Sequence, residues 1–146
     1  MKKLLSFILA FVLIAMPMCV EAYASEGELS YDNSVMPRYT YIDSVSAGIS
    51  EAALGFVNCL SDCVSFQADK TFVLTCILQR CTASSSWENY KTATETFSGM
   101  GSFTIAKTWF APATYDAYRV KTTVIVKNSS GLIVETTTKA SGVIYK

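Results

Sequence analysis

Five cysteines and no histidine set the chemistry open to this 146-residue chain. Without an imidazole there is no Ser-His or Cys-His nucleophilic pair and no histidine-ligated metal. Four of the cysteines lie close together, at Cys59, Cys63, Cys76 and Cys81. In an exported chain an even count reads as disulfides, and four cysteines allow three connectivities. On one extended strand Cys59 and Cys63 stand roughly 13 Å apart, beyond the ~7 Å between Cα atoms that a disulfide spans. The same argument separates Cys76 from Cys81. A hairpin turning at Asp69-Lys70 sets Cys63 opposite Cys76 and, with one bulge, Cys59 opposite Cys81. The spacing therefore predicts nested bridges Cys63–Cys76 and Cys59–Cys81, each worth about 3 kcal/mol in the chain-entropy model. If the two segments belong to opposite sheets, the same pairs bridge the core instead. A metal held by all four thiolates is disfavoured by the export context.

The remaining reactive groups argue against catalysis. Asp43, Asp62, Asp69, Glu88, Asp116 and Glu135 are the candidates for a carboxylate-pair hydrolase, but they are scattered over expected turns and wet faces. Gly99-Met100-Gly101 is too short for a phosphate loop and precedes a strand, not a helix. No catalytic residue, cofactor or metal ligand is assigned, and a non-enzymatic role is expected. Trp87, Tyr90 and Trp109 are the candidate platform for a glycan or a protein partner. Their competing assignment is to the core, where large aromatics usually sit.

The N-terminus supplies the compartment. Lys2 and Lys3 precede an almost wholly apolar run from Leu4 to Val20, and Ala22-Tyr23-Ala24 follows. This is the layout of a bacterial-type signal peptide with cleavage after Ala24. The alternatives are an uncleaved anchor over the same run, which would bring the chain to a membrane, and a lipid-modified Cys19. Without Lys2, Lys3 and Glu21, ten basic and eleven acidic residues remain. A near-neutral balance argues against nucleic acid as a partner, since phosphate binding needs a basic stripe. The expected organisation is a signal peptide over 1–24, a flexible lead-in over 25–37 and one domain over 38–146.

The elements that would position these residues are strands. Tyr39, Tyr41, Val45, Ala47 and Ile49 share one parity and predict a strand over 39–49. Leu54 to Phe66 and Thr71 to Cys81 predict two more, either side of Ala68-Asp69-Lys70. Ser84-Ser85-Ser86 is a turn. Trp87 to Phe97 and Ser102 to Phe110 follow, the latter facing Phe103, Ile105 and Trp109 inward. Tyr118, Val120, Val124 and Val126 alternate with polar neighbours, as do Leu132, Val134, Thr136 and Thr138. Setting Val126 beside Val134 in the core pairs Asn128 with Leu132 and leaves the loop Ser129-Ser130-Gly131, with Gly131 left-handed. Asn128-Ser129-Ser130 also matches a glycosylation sequon and is read here as turn chemistry. Seven or so short strands at this spacing predict an all-β, two-sheet antiparallel sandwich. Tyr115-Asp116-Ala117-Tyr118 fits either the tyrosine corner of immunoglobulin-like domains or a plain core aromatic at Tyr118.

Arg38-Tyr39-Thr40-Tyr41-Ile42-Asp43-Ser44, followed by Ser46-Ala47 and Ile49-Ser50, resembles the opening of small secreted proteins of Gram-positive bacteria whose function is uncharacterised. Ser85-Ser86-Trp87, Tyr90-Lys91-Thr92 and the strand and turn from Tyr118 to Ser130 sit at similar positions in that pattern. The resemblance covers roughly Arg38 to the C-terminus and implies an immunoglobulin- or fibronectin-like sandwich, with no catalytic or binding residues to carry over. Many such proteins lack the cysteines found here. Two roles stay open: an extracellular interaction module for an unknown protein or glycan, and a surface component that self-associates through Thr-rich edge strands.

Overall fold

Short runs of β-branched and aromatic residues alternating with polar ones give eight strands in a computed structural model. It describes residues 39–81, 86–114 and 117–146. The expected signal peptide with Cys19, the lead-in, Ser84-Ser85 and Tyr115-Asp116 lie outside the described residues. The strands are β1 (Ser44–Glu51), β2 (Phe56–Ser65), β3 (Thr71–Cys81), β4 (Trp87–Ser98), β5 (Gly101–Phe110), β6 (Ala117–Lys127), β7 (Ile133–Ala140) and β8 (Ile144–Tyr145). The one helical element among the described residues is a 3-10 turn, Ala53–Gly55.

Two antiparallel sheets result, one ordered β1-β2-β5 and the other β4-β3-β6-β7, with β8 added to the start of β6. The described chain is an all-β sandwich of two antiparallel sheets. It differs from the constant-type immunoglobulin order, in which the fourth strand joins the first sheet, because β4 pairs with β3 over its whole length. The inward row of β2 is Val57, Cys59, Ser61, Cys63 and Ser65. It faces Phe72, Leu74, Cys76 and Leu78 of β3 and Tyr118 to Val126 of β6, all buried on alternate positions. Phe103 and Ile105 of β5 close the core from one side, and half-buried Val45, Ala47 and Ile49 of β1 pack against it. Burying each large apolar side chain contributes about 1.5–3 kcal/mol.

Two hydrogen bonds fix this packing. The hydroxyl of Tyr118 donates to the Pro112 carbonyl at 2.7 Å, which ties the start of β6 to the loop before it in the manner of a tyrosine corner. Ser61 Oγ of β2 and Thr122 Oγ1 of β6 meet at 2.7 Å inside the core. Antibody domains join the corresponding two strands by their inter-sheet disulfide.

Three sequence expectations are corrected. First, β2 and β3 are not a hairpin: β2 pairs with β1 and β5, β3 with β4 and β6. The turn at Ala68-Asp69 carries the chain from one sheet to the other, so no ladder register relates the cysteines. Second, β7 is turned over. Asn128 N does donate to Leu132 O at 3.0 Å, and Gly131 is left-handed at φ 78°. The Asn128 side-chain oxygen also accepts from the Ser130 and Leu132 amides. A bulge between Val126 and Lys127, however, sets Val126 opposite Glu135 instead of Val134. One extra residue reverses every side chain beyond it. Glu135 and Thr137 therefore sit on the more protected side, and Val134 turns outward.

Third, the first strand starts at Ser44, not Tyr39. The reason is the inverted Glu135, whose carboxylate takes the amides of Thr40 (3.1 Å) and Tyr41 (2.8 Å). Ser65 Oγ donates to the Tyr41 carbonyl at 2.8 Å, and the Lys70 ammonium lies 5.1 Å from the Tyr41 ring centroid. Side chains thus hold Thr40 and Tyr41 where a ladder would otherwise run, and backbone pairing resumes at Asp43, whose amide donates to the Val64 carbonyl at 2.9 Å. Charge-assisted hydrogen bonds contribute about 1.5–3 kcal/mol each. Replacing Glu135 by Ala is expected to speed hydrogen exchange at Thr40 and Tyr41 by about tenfold or more, leaving Val124 unchanged. Equal acceleration at both places would show that the strap is not held locally.

Candidate functional site: the open face of the three-stranded sheet

Inward placement of Val57, Cys59, Ser61, Cys63 and Ser65 forces Phe56, Asn58, Leu60, Asp62 and Val64 outward on β2. The ladders then align them with outward residues of β1 and β5. Ser50, Asn58 and Thr108 form one row across the sheet, Gly48, Leu60 and Ala106 the next, and Ser46, Asp62 and Thr104 the third. Both polar rows are hydrogen-bonded within themselves. Thr108 Oγ1 donates to Asn58 Oδ1 at 2.8 Å. Ser46 Oγ and Thr104 Oγ1 donate to the two Asp62 oxygens at 3.0 and 2.7 Å. With no side chain at Gly48 and only a methyl at Ala106, Leu60 is left as the floor of a shallow trough of about 450 Å³.

At one end of this face an apolar corner projects. Leu54 and Gly55 both adopt left-handed backbone, at φ 59° and 79°, a conformation that leucine rarely takes. It is held by the Ala52 amide on Phe56 O (2.9 Å) and the Ala111 amide on Gly55 O (2.8 Å). A Cβ on Gly55 would lie 3.2 Å from the Phe110 ring, so glycine is needed there for space as well as for φ. The turn throws Leu54 out until it is 90% exposed, beside Phe56 (39%) and Phe110 (49%). The two phenyl rings meet edge to face, with centroids 5.5 Å apart and planes at 63°. Leu60 (40%) continues the apolar strip into the trough.

The expected aromatic platform is not one surface. Trp109 is on β5, in register with Val57, and packs half-buried against the core. Tyr90 of β4 also packs against the core, its ring 6.4 Å from that of Tyr118. Trp87 opens β4 under the Arg119 guanidinium, 4.2 Å from its ring centroid, and Arg119 Nε is held by Gln79 Oε1 at 2.9 Å.

The cysteines fall on opposite sheets, Cys59 and Cys63 on β2, Cys76 and Cys81 on β3. The expected pairs Cys63–Cys76 and Cys59–Cys81 would therefore have to bridge from one sheet to the other, and Cys59, Cys63 and Cys76 are buried. Burial and the nearby Cys76 push the Cys59 thiol up to about 12. Burial, and then Glu135, push Cys63 up to about 11. Cys76 is raised by burial against the opposing pull of Ser61 and Lys107.

The carboxylates stay apart. Asp62 accepts from its two hydroxyl neighbours, Glu88 pairs with Arg80 at 3.3 Å, Glu135 holds the strap, and Asp69 contacts Lys70. Asp116 lies outside the described residues. Among the described residues no group of three or more His, Cys, Asp or Glu side chains is placed to hold a metal ion, and no helix is long and apolar enough to cross a membrane.

No family model matches the chain, and no curated protein matches it. Among solved structures it is similar to a GH3 β-glucosidase of Bifidobacterium adolescentis, at 13% identity and a TM-score of 0.34, over 70% of this chain and 17% of that one. It is similar also to a β-glucosidase of Kluyveromyces marxianus in complex with glucose, at 12% identity and a TM-score of 0.34, over 70% of this chain and 14% of that one. The chain thus spans less than a fifth of either enzyme's length, and so distant a likeness carries no argument about activity.

Proposed function

We propose that the chain is a non-catalytic interaction module, exported by its N-terminal leader, that binds a protein partner through the open face of the three-stranded sheet. The observation that carries this reading is the strip Leu54, Phe56, Phe110 and Leu60, exposed on a face whose polar rows are internally hydrogen-bonded. Apolar anchors inside a satisfied polar rim are the anatomy of a protein interface, and exposed apolar clusters of this kind mark interaction sites. Two leucines and an edge-to-face phenyl pair favour a protein over a glycan, since a sugar ring is bound best on a flat aromatic plane. The only charged side chain in the three rows is Asp62, so the partner surface is apolar and uncharged or weakly basic.

The test uses the chain with Leu54→Asp and Phe110→Asp, both exposed and outside the core, against the surface and secreted proteins of the producing cell. Wild-type binding is expected to be saturable and abolished by protease treatment of the partner fraction. Each variant is expected to lose about tenfold or more in affinity, as hot-spot truncations do, with an unchanged unfolding midpoint. Protease-resistant binding would transfer the face to a glycan. Retained binding in both variants, or no binding by the wild type, would overturn the reading.

A second reading has one observation in its favour. The Thr-rich strands β4 (Thr92, Thr94, Thr96) and β7 (Thr136, Thr137, Thr138) stand at the two edges of the larger sheet, where unpaired backbone groups invite strand addition. Self-association through them predicts that the wild type and the Leu54→Asp and Phe110→Asp variants sediment alike as oligomers. A monomer removes it.

A further inference from the structure

The geometry points to one inter-sheet disulfide, Cys59–Cys76, as the covalent staple of this core, with Cys63 remaining a thiol. Three contacts between the sheets, two inside the core and one ion pair at its exposed edge, align β2 with β3. Phe72 packs on Phe103 with ring centroids 5.4 Å apart, and Phe103 is the ladder partner of Cys63. Cys76 is four residues further along β3, roughly 13 Å from that contact, so Cys63 is opposite phenylalanine and not cysteine. Ser61 meets Thr122 at 2.7 Å, and Thr122 is the ladder partner of Cys76. Lys107, the ladder partner of Cys59, reaches Glu95 of β4 at 3.4 Å, and Glu95 is paired with Leu74, two residues before Cys76. Cys76 therefore sits across from the Cys59–Ser61 stretch of β2.

The electrostatics agree with the placement. Cys76 is the nearby charge that raises Cys59, whereas the charge that acts on Cys63 is Glu135. Cys76 is raised by burial, and the two groups that oppose this are Ser61 of β2 and Lys107, the ladder partner of Cys59.

The bond forms by exchange with a small-molecule disulfide such as oxidised glutathione. One cysteine thiolate attacks it, releases one thiol and leaves a mixed disulfide. The second cysteine thiolate attacks that sulfur and releases the second thiol. Two protons leave the protein and its two sulfurs lose two electrons, which reduce the donor. Thiolate is the attacking species, and a thiol held near 12 supplies almost none at neutral pH. Closure of the bond thus belongs to folding, before the sheets meet, and the finished bond is shielded from reductants.

The experiment refolds the reduced full chain with oxidised and reduced glutathione, alkylates remaining thiols and digests with trypsin and a protease that cuts before aspartate. The four cysteines then fall on separate peptides, residues 43–61, 62–68, 71–80 and 81–91. The expected result is 43–61 linked to 71–80, with 62–68 alkylated. That link persists in Cys63→Ser and disappears in Cys59→Ser and Cys76→Ser. Linkage of 62–68 to 71–80, linkage of 43–61 to 81–91, or alkylation of both Cys59 and Cys76 would overturn the assignment. The wild-type map alone decides between these outcomes if a serine variant does not fold.

Discussion

Replacing Phe72 by Ala is expected to lower the unfolding free energy by about 3–5 kcal/mol, the range for a buried phenylalanine. Phe72 is wholly buried on β3, between Val126 of β6 and Phe97 of β4, and reaches across the core to Phe103. Phe103 is itself stacked on Phe97, with centroids 4.8 Å apart and planes at 14°. Truncation removes the central member of a cluster contributed by both sheets, and the paired strands around it have little freedom to collapse into the void. Phe72→Leu keeps most of the volume and is expected to cost less than half as much. Phe56→Ala, on the open face, is expected to change stability by no more than about 0.5 kcal/mol. Urea titration with an unchanged slope checks all three. Equal losses at Phe72 and Phe56 would mean that the two-sheet arrangement places them wrongly.

The buried hydroxyl pair should show the largest coupling. Thr122 Oγ1 donates to the Ser46 carbonyl at 3.0 Å, so its contact with Ser61 at 2.7 Å requires Ser61 to be the donor. A chain from β2 through β6 to β1 results, and both hydroxyls are excluded from water. Thr122→Val leaves the Ser61 proton and the Ser46 carbonyl without this partner, at about 1–3 kcal/mol. Ser61→Ala strands the acceptor side of Thr122 at a similar cost. The double substitution removes both polar groups, so its loss is expected to fall short of the sum by about 0.5–3 kcal/mol. Additive losses would show that the two side chains do not meet in solution.

What the sequence disclosed and what it concealed divide along range of interaction. Alternation over Tyr118 to Val126 predicts the inward face of β6 because each residue's side is set by its immediate neighbours. Thr71–Cys81 is bounded as expected, since turn chemistry punctuates it at both ends. Tyr118 before a strand suggests a tie to the preceding loop, and its hydroxyl reaches the Pro112 carbonyl, six residues back. The sheet to which a strand belongs is not local. Two strands around a short turn fit a hairpin or a crossing between sheets equally well, and β2–β3 is the latter. The face of β7 depended on a single bulged residue, which no alternation pattern reveals. Trp87, Tyr90 and Trp109 are divided between two sheets, a non-local fact of the same kind, with Tyr90 and Trp109 packed against the core as the competing assignment had Trp109. A signal for the open face was present. Once Cys59 and Cys63 are taken as inward, Phe56 and Leu60 must point outward. Several large apolar residues gathered on one wet face are the informative exception.

The proposal that the open face of the three-stranded sheet receives the partner is tested most directly by photo-crosslinking from single positions in the full chain on the producing cell. A benzophenone side chain in place of Leu60 lies in the trough, and one in place of Thr94 lies on the far sheet. The account predicts one protease-sensitive adduct of defined mass from position 60 and none from position 94. An adduct from position 94 alone, or none from position 60, would contradict it.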